Sequence, residues 1–412
     1  MDARRAAELA ARNSYGRLIA YLVAQTRDVA AAEDALGDAF LAALKTWTES
    51  GIPHNPEAWL LVTARHRLID MARRTQVSDR ILNAFKLDRF APTTEPSLED
   101  VTFPDDRLKL LFICAHPAID PTIHTPLMLQ TVLGLNAAQI ASAFLVAPAT
   151  MSQRLVRAKA KIRDAGIAFE LPLAFELPTR LEAVLEAIYA AYTNGWEGVS
   201  GADPRQKGLA EEAIWLARLC VQLLPEEPEV RGLLALMLHC EARREARRTA
   251  DGAYVPLLQQ DTRLWSQPMM AEAEAELTQA STFQQLGRFQ LEAAIQSIHA
   301  RRAITQQVDW QALALLYEGL IQLSPTLGAL MSHAAAIAEV KGWEQGLALL
   351  EALPPERVNS YQPYWALKAH LLKHSPNHSD TQQAYVRAIG LTEDPAIREF
   401  LMQRSHHYNS SI

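Results

Sequence analysis

Cysteine is scarce in this chain of 412 residues, which has three: Cys114, Cys220 and Cys240. Their odd number and wide separation argue against a disulfide framework and leave them as buried thiols. Long apolar runs are missing too. No stretch approaches the ~18 to 20 uninterrupted apolar residues of a membrane span. The first residues, MDARRAAELAARNSYGRLIAYLV, lack the apolar block and small-residue cleavage site of a signal peptide. A cytoplasmic protein with no membrane partner is therefore expected. The chain has no nucleophile elbow, no phosphate-cradling glycine loop and no metal-ligand pair on a helix, so no catalytic residue and no cofactor are expected. Cys114 and His116 invite a metal reading, but the four-ligand spacing of a zinc site is missing, and no metal is expected.

What is present is helix. Hydrophobic residues make up 49% of the chain, ample for two or three domains at this length, and the periodic segments point to an all-α fold. The net charge of −7 is unevenly spread: residues 1–165 hold 20 Lys and Arg against 18 Asp and Glu, and residues 166–412 hold 20 against 29. Positive charge is concentrated in two helical stretches of the first part. The acidic remainder would repel DNA and reads as a protein-facing or regulatory module.

The stretch LNAAQIASAFLVAPATMSQRLVRAKAKIR, from Leu135 to Arg163, reads as a helix-turn-helix. Ile140 and Phe144 give the first helix one apolar face. Pro148 stands near the start of the second, where its missing N–H costs nothing, and Met151, Leu155, Ala158 and Ile162 form its buried stripe. Thr150, Gln153, Arg154, Arg157 and Lys161 lie on the other side, suited to phosphates and bases of a major groove. On periodicity alone, a solvated hairpin with a basic outer face fits equally well.

Upstream, Ala32 to Leu44 places Leu36, Phe40 and Leu44 on one stripe, with Glu33, Asp34 and Asp38 as an exposed acidic edge. That pattern alone describes an ordinary surface helix. Glu57 to Arg74 carries Trp59, Val62, His66, Ile69 and Arg73 along one side and is rich in arginine, which suits separated DNA strands whose bases stack and whose phosphates need neutralising. Ser78 to Pro104, with three prolines and weak periodicity, reads as an extended linker.

These motifs carry a resemblance. I-A-x-A-F-x-V-x-x-x-T-M-x-x-R-L-x-R-A-K-x-K-I-R, residues 140–163, resembles promoter-reading region 4 of sigma factors of the extracytoplasmic-function type, in the sigma-70 family. A-E-D-x-x-x-D-x-F (Ala32, Glu33, Asp34, Asp38, Phe40) and W-L-x-x-x-A-R-x-x-x-x-D-x-x-R-R (Trp59, Leu60, Ala64, Arg65, Asp70, Arg73, Arg74) resemble the two working helices of region 2. The resemblance implies that Glu33, Asp34, Asp38 and Phe40 bind core RNA polymerase. It assigns the −10 element to Trp59, Arg65, His66, Asp70, Arg73 and Arg74, and the −35 element to Thr150, Ser152, Gln153, Arg154, Arg157 and Lys161. His66 replaces a usual Asn, which implies a different −10 base preference. Leu145 replaces the usual turn glycine and Ser152 a common basic residue, which implies weak contact by that helix alone. Cys114-x-His116-Pro117 resembles a signature of a subgroup with a long C-terminal extension.

The extension brings helices at Leu181–Thr193, Ala210–Leu224 and Val230–Arg248. Around them stand Asn194, Trp196, Arg243, Arg244, Arg247, Arg248, Asp261, Arg263 and Trp265, readable as a ligand cleft or, more readily, as an Arg–carboxylate network fixing helix order. Helices near Trp310, Trp343 and Asp380 recur after 33 and 37 residues, and those near Leu327 and Pro363 after 36, spacings that fit tetratricopeptide-like pairs of about 34 residues. The expected order is region 2 at 1–77, linker at 78–106, region 4 at 107–166, helical extension at 178–282 and tetratricopeptide-like repeats at 283–405. The expected function is that of a dissociable sigma factor that binds core RNA polymerase and promoter DNA at the nucleoid. Its C-terminal domain would regulate it in cis, and the repeats would receive a protein or peptide. The alternative is a helix-turn-helix regulator with a ligand- or protein-binding helical effector domain, which leaves the Trp59 to Arg74 helix and the acidic helix at Asp34 unexplained.

Overall fold

The computed structural model describes residues 3–75, 105–144, 146–196, 204–375 and 378–410. Among them all regular structure is helical apart from one isolated bridge between Arg248 and Tyr254. The linker residues 78–104 and the turn residue Leu145 lie outside the described residues. The chain divides into two compact units, one comprising residues 1–196 with 205–213, the other 197–204 with 214–412.

In the first unit, α1 (Ala3–Thr26), α2 (Val29–Ser50) and α3 (Pro56–Thr75) pack on one another. The sequence offers no Gly or Pro between α1 and α2, yet the chain breaks at Arg27, whose φ is 56°. Asp28 then caps α2, accepting a hydrogen bond from the Ala31 N–H at 3.1 Å. The buried stripe of α2 is Val29, Ala32, Ala35, Leu36, Ala39, Ala43 and Trp47. Leu44, predicted on that stripe, is exposed, and Phe40 is half-buried; the alanines of α2 let the three helices approach closely.

α4 (Arg107–Cys114) is buried nearly all round, and α5 (Pro121–Thr131), α6 (Ala137–Ala143), α7 (Pro148–Asp164) and α8 (Leu177–Trp196) follow. α8 covers α4 and α5: the Arg180 guanidinium donates to the Phe112 carbonyl at 2.5 Å, and the Thr125 hydroxyl to the Ala187 carbonyl at 2.8 Å. The first compact unit therefore continues beyond residue 166 and takes in the first helix of the extension. α9 is Pro204–Leu223.

The second unit contains α10 (Pro228–Glu241), α11 (Gln267–Ser281) and α12 (Arg288–Ala300). A single helix over Val230–Arg248 was predicted; α10 instead ends at Glu241, and short 3-10 turns carry the chain from Arg244 to Leu264. Then come α13 (Trp310–Leu323), α14 (Leu327–Lys341), α15 (Trp343–Glu351), α16 (Gln362–Leu372), α17 (His378–Leu391) and α18 (Pro395–Ser410). Their apolar residues form small successive cores, one spanning α12, α13 and α14, the next α14, α15 and α16, the last α16 and α17. Gly346 makes one of these contacts possible, since a Cβ there would lie 2.5 Å from the Ala338 Cβ and 2.7 Å from the Ala334 carbonyl oxygen.

Candidate nucleic-acid interface

α7 starts at Pro148 with Ala147 in extended conformation before it, so proline's fixed φ opens the helix and no side-chain cap is needed. Met151, Leu155, Ala158 and Ile162 are buried as the periodicity predicts. Thr150, Ser152, Gln153, Arg154, Arg157 and Lys161 are all exposed on the remaining surface. Among the described residues, none of Arg154, Arg157 and Lys161 has an ion-pair partner. Three polar side chains and three unpaired cations on one helix can meet a polyanion without first breaking internal contacts.

On α3, Trp59 is half-buried and packs edge-to-face on Trp47 at 5.5 Å between ring centroids. Its neighbours Ala58, Leu60, Leu61, Ala64 and Leu68 form the buried side. His66, Arg67 and Asp70 are exposed and Arg65 is half-buried. The side chains of Arg73 and Arg74 lie outside the described residues. On α2, Asp34 and Asp38 are exposed and Phe40 is half-buried.

Glu33 departs from the predicted acidic edge. It is turned against α7, where the Lys159 ammonium donates to its Oε2 at 2.5 Å and to Gln130 Oε1 of α5 at 3.0 Å. The lysine and glutamate side chains keep 9% and 13% of their exposure. Burial raises the Glu33 pKa, against which the Lys159 charge and hydrogen bond pull it down, while Asp34 adds to the rise. Sequence reasoning missed Lys159, although it stands four residues after Leu155 and hence on the buried side of α7.

Cys114 and His116 are engaged locally. The buried Cys114 Sγ lies 3.2 Å from the Thr131 hydroxyl, burial pushes the thiol up to about 12, and His116 Nδ1 accepts from the Ala118 N–H at 3.1 Å. The described residues contain no group of three side chains able to hold a metal ion, and none of their helices is long and apolar enough to cross a membrane.

In the second unit the arginine cluster is largely paired. Arg244 grips Glu241 through two hydrogen bonds of 2.6 and 2.8 Å, Arg263 grips Asp261 at 2.7 and 3.0 Å, and Arg248 binds Asp394. Arg302, which the sequence did not single out, donates to the carbonyls of Leu257 and Leu258 and lies 5.2 Å from the Trp265 ring. The Arg244, Arg248 and Arg302 contacts tie the irregular segment to the rest of the unit, while the exposed Arg263 pair lies within that segment, an arrangement of the network kind. The side chains of Asn194 and Trp196 lie outside the described residues.

The family model of sigma-70 region 2 matches residues 11–77, and that of a family of unknown function, DUF6596, matches residues 180–281. An uncharacterized protein of Rhizobium meliloti (strain 1021) is 38% identical over 396 residues, covering 95% of this chain and 92% of its own. No solved structure matches the chain.

Proposed function

This chain belongs to the sigma-70 family, with a long C-terminal helical extension, and from that premise we propose that it binds core RNA polymerase through α2 and reads promoters with α3 and α7. Its role lies in transcription initiation, and like other members of the family it is not an enzyme. Asp34, Asp38, Phe40 and Glu33 take the polymerase contact. Trp59, Arg65, His66, Asp70, Arg73 and Arg74 of α3 hold the separated −10 strand, where an aromatic ring stacks on bases and cations meet phosphates. α6 and α7 act as a helix-turn-helix on the −35 element, with Thr150, Ser152, Gln153, Arg154, Arg157 and Lys161 toward the DNA. The extension acts in cis, and α13 to α18 serve as tetratricopeptide-like pairs that receive a protein or peptide.

The observation that carries this reading is the pairing, in one chain, of a region 2 match at residues 11–77 with a second helix whose cations are exposed and unpaired. Purified core polymerase with the full chain on a promoter library tests it: promoter-dependent run-off transcripts are expected, and their absence overturns it. Within that assay, Arg154→Ala weakens −35-dependent binding and lowers the salt dependence by about one phosphate contact. Core binding stays unchanged. An unaltered −35 footprint would remove Arg154 from the interface.

A further inference from the structure

We propose that the second unit holds a site for a small organic carboxylate, built on the unpaired guanidinium of Arg243 just past α10 and on Gln296 and His299 of α12. The inference goes beyond the functional reading above and gives the extension a small-molecule input.

Buried polar atoms nearly always have a hydrogen-bond partner, and those without one mark places that water or a ligand completes. In the second unit six buried side-chain nitrogens and oxygens have no such partner among the described residues: both ring nitrogens of His239, Gln260 Oε1, Trp265 Nε1, Gln296 Oε1 and His299 Nδ1. All fall between residues 239 and 299, and none of these atoms is on α13 to α18. Gln296 and His299 are three residues apart and so share one face of α12. The His299 ring stands edge-to-face with Trp310 at 6.2 Å between centroids.

Arg243 stands among these groups. It is half-buried, and among the described residues its guanidinium has no ion-pair partner; its hydrogen bond goes to the Cys240 sulfur, 3.6 Å away. Its neighbours are satisfied. Glu241 holds Arg244, Asp394 holds Arg248 and Glu292 holds Arg288. Burial and then the Arg243 charge pull the pKa values of His239 and His299 down to about 4. Burial raises Tyr317, against its hydrogen bond with Ser332 and the same arginine charge. The guanidinium is therefore near α12 and α13 as well as its own helix.

The chemistry of these groups selects the ligand. A guanidinium is a planar fork of donors that meets a carboxylate with two parallel bonds. One free cation balances one negative charge. Arg302 cannot supply a second, because its donors are occupied by the Leu257, Leu258 and Gln260 carbonyls, and a dianionic phosphate would stay half neutralised. Both histidines are uncharged at neutral pH, so His299 Nδ1 can offer a neutral N–H. Gln296 Oε1 is an acceptor, which suits a hydroxyl or amino group on the same molecule.

The test is arginine labelling of the full chain with phenylglyoxal, read residue by residue by mass spectrometry. Lactate, acetate and inorganic phosphate are the probes, each set against chloride at equal ionic strength. Lactate is expected to slow labelling of Arg243 in a saturable way, about three-fold at twice its Kd, with acetate weaker and the exposed Arg154 unaffected. In calorimetric titration Arg243→Gln is expected to weaken lactate binding about ten-fold or more, and Gln296→Leu to remove the preference for lactate over acetate. No protection of Arg243 by either carboxylate, or equal protection of Arg154, overturns the site. An Arg243→Gln chain that binds lactate as the wild type does also overturns it. Protection by phosphate alone overturns the carboxylate class. If Arg243→Gln does not fold, labelling of the wild-type chain decides alone. Neither readout uses polymerase or promoter DNA, so the site and the functional reading stand or fall separately.

Discussion

His239 on α10 has a side chain wholly removed from water, and neither ring nitrogen has a hydrogen-bond partner among the described residues. Glu274 Oε1 is 3.4 Å from its Nε2, but that carboxylate is half exposed and already accepts from the Ser297 hydroxyl at 2.5 Å. Burial, with the nearby Arg243 charge, pulls the His239 pKa down to about 4. Below its ordinary value near 6.5 the unfolded chain takes a proton that the folded chain refuses, so stability falls as pH drops from about 6.5 to about 4. Burial sets His299 and His370 near 4 as well. The expected outcome is a melting temperature that declines through this window, and less steeply for His239→Leu; equal slopes would mean that His239 does not carry the effect. For a shift of this size the full loss is on the order of 3 kcal/mol. The sequence marks residue 239 as a histidine on a helix, and its spacing from Leu155 puts Lys159 on the buried side of α7, but neither position names a partner. Which groups surround a buried side chain depends on elements far away in the chain, so the exposed bases of α7 were legible and the partners of its buried base were not.

At the scale of the element, one carboxylate of α10 starts another helix. Glu229 accepts from the backbone N–H groups of Phe289 and Gln290 at 2.9 and 3.0 Å and from the Gln290 amide at 3.2 Å, the donors that the first turn of α12 leaves unsatisfied. Its negative charge also suits the helix N-terminus. Glu229→Ala is expected to cost about 2 to 4 kcal/mol, read as a lower urea midpoint at unchanged slope. A change under about 0.5 kcal/mol, the ordinary range for surface substitutions, would mean that water replaces the carboxylate. Local capping of the usual kind also occurs: Asp309 and Thr326 accept from the Ala312 and Ala329 N–H groups at 2.9 and 3.2 Å, and the helices begin at Trp310 and Leu327 where the spacing places them. The cap from Glu229, 60 residues away from Phe289, has no local signature. The break at Arg27 was equally hidden, because a residue with positive φ that is neither Gly nor Asn gives no warning in the sequence.

At the scale of the molecule, a region 2 near the start of the chain and a long helical extension after it were legible from motifs and spacing, while the fold-back of α7 on α2 was not. Periodicity reports which face of a helix is buried but not which helix buries it, and Glu33 and Lys159 are partners across 126 residues of chain. The same limit governs where the extension is to be cut. α8 covers α4, so a truncation at Pro178 would uncover the buried Phe112 and Leu111, whereas one after Leu224 keeps every residue of the first unit. The portion removed carries 21 acidic and 16 basic side chains, and its loss takes the net charge from −7 to −2. Self-repulsion between an acidic module and DNA weakens encounter and is screened over about 10 Å at 0.1 M salt. The truncated chain is therefore expected to bind promoter duplex more tightly than the full chain at low salt, with the difference shrinking as salt rises. A difference that persists undiminished at high salt would instead mean specific contacts between the extension and the DNA-reading helices. Run-off transcription with core polymerase, read on the same two chains, separates charge from control: identical transcript levels at all salt concentrations would leave the extension without a regulatory part. A ratio that stays away from unity at high salt would place that control in contacts rather than in the field of the acidic half.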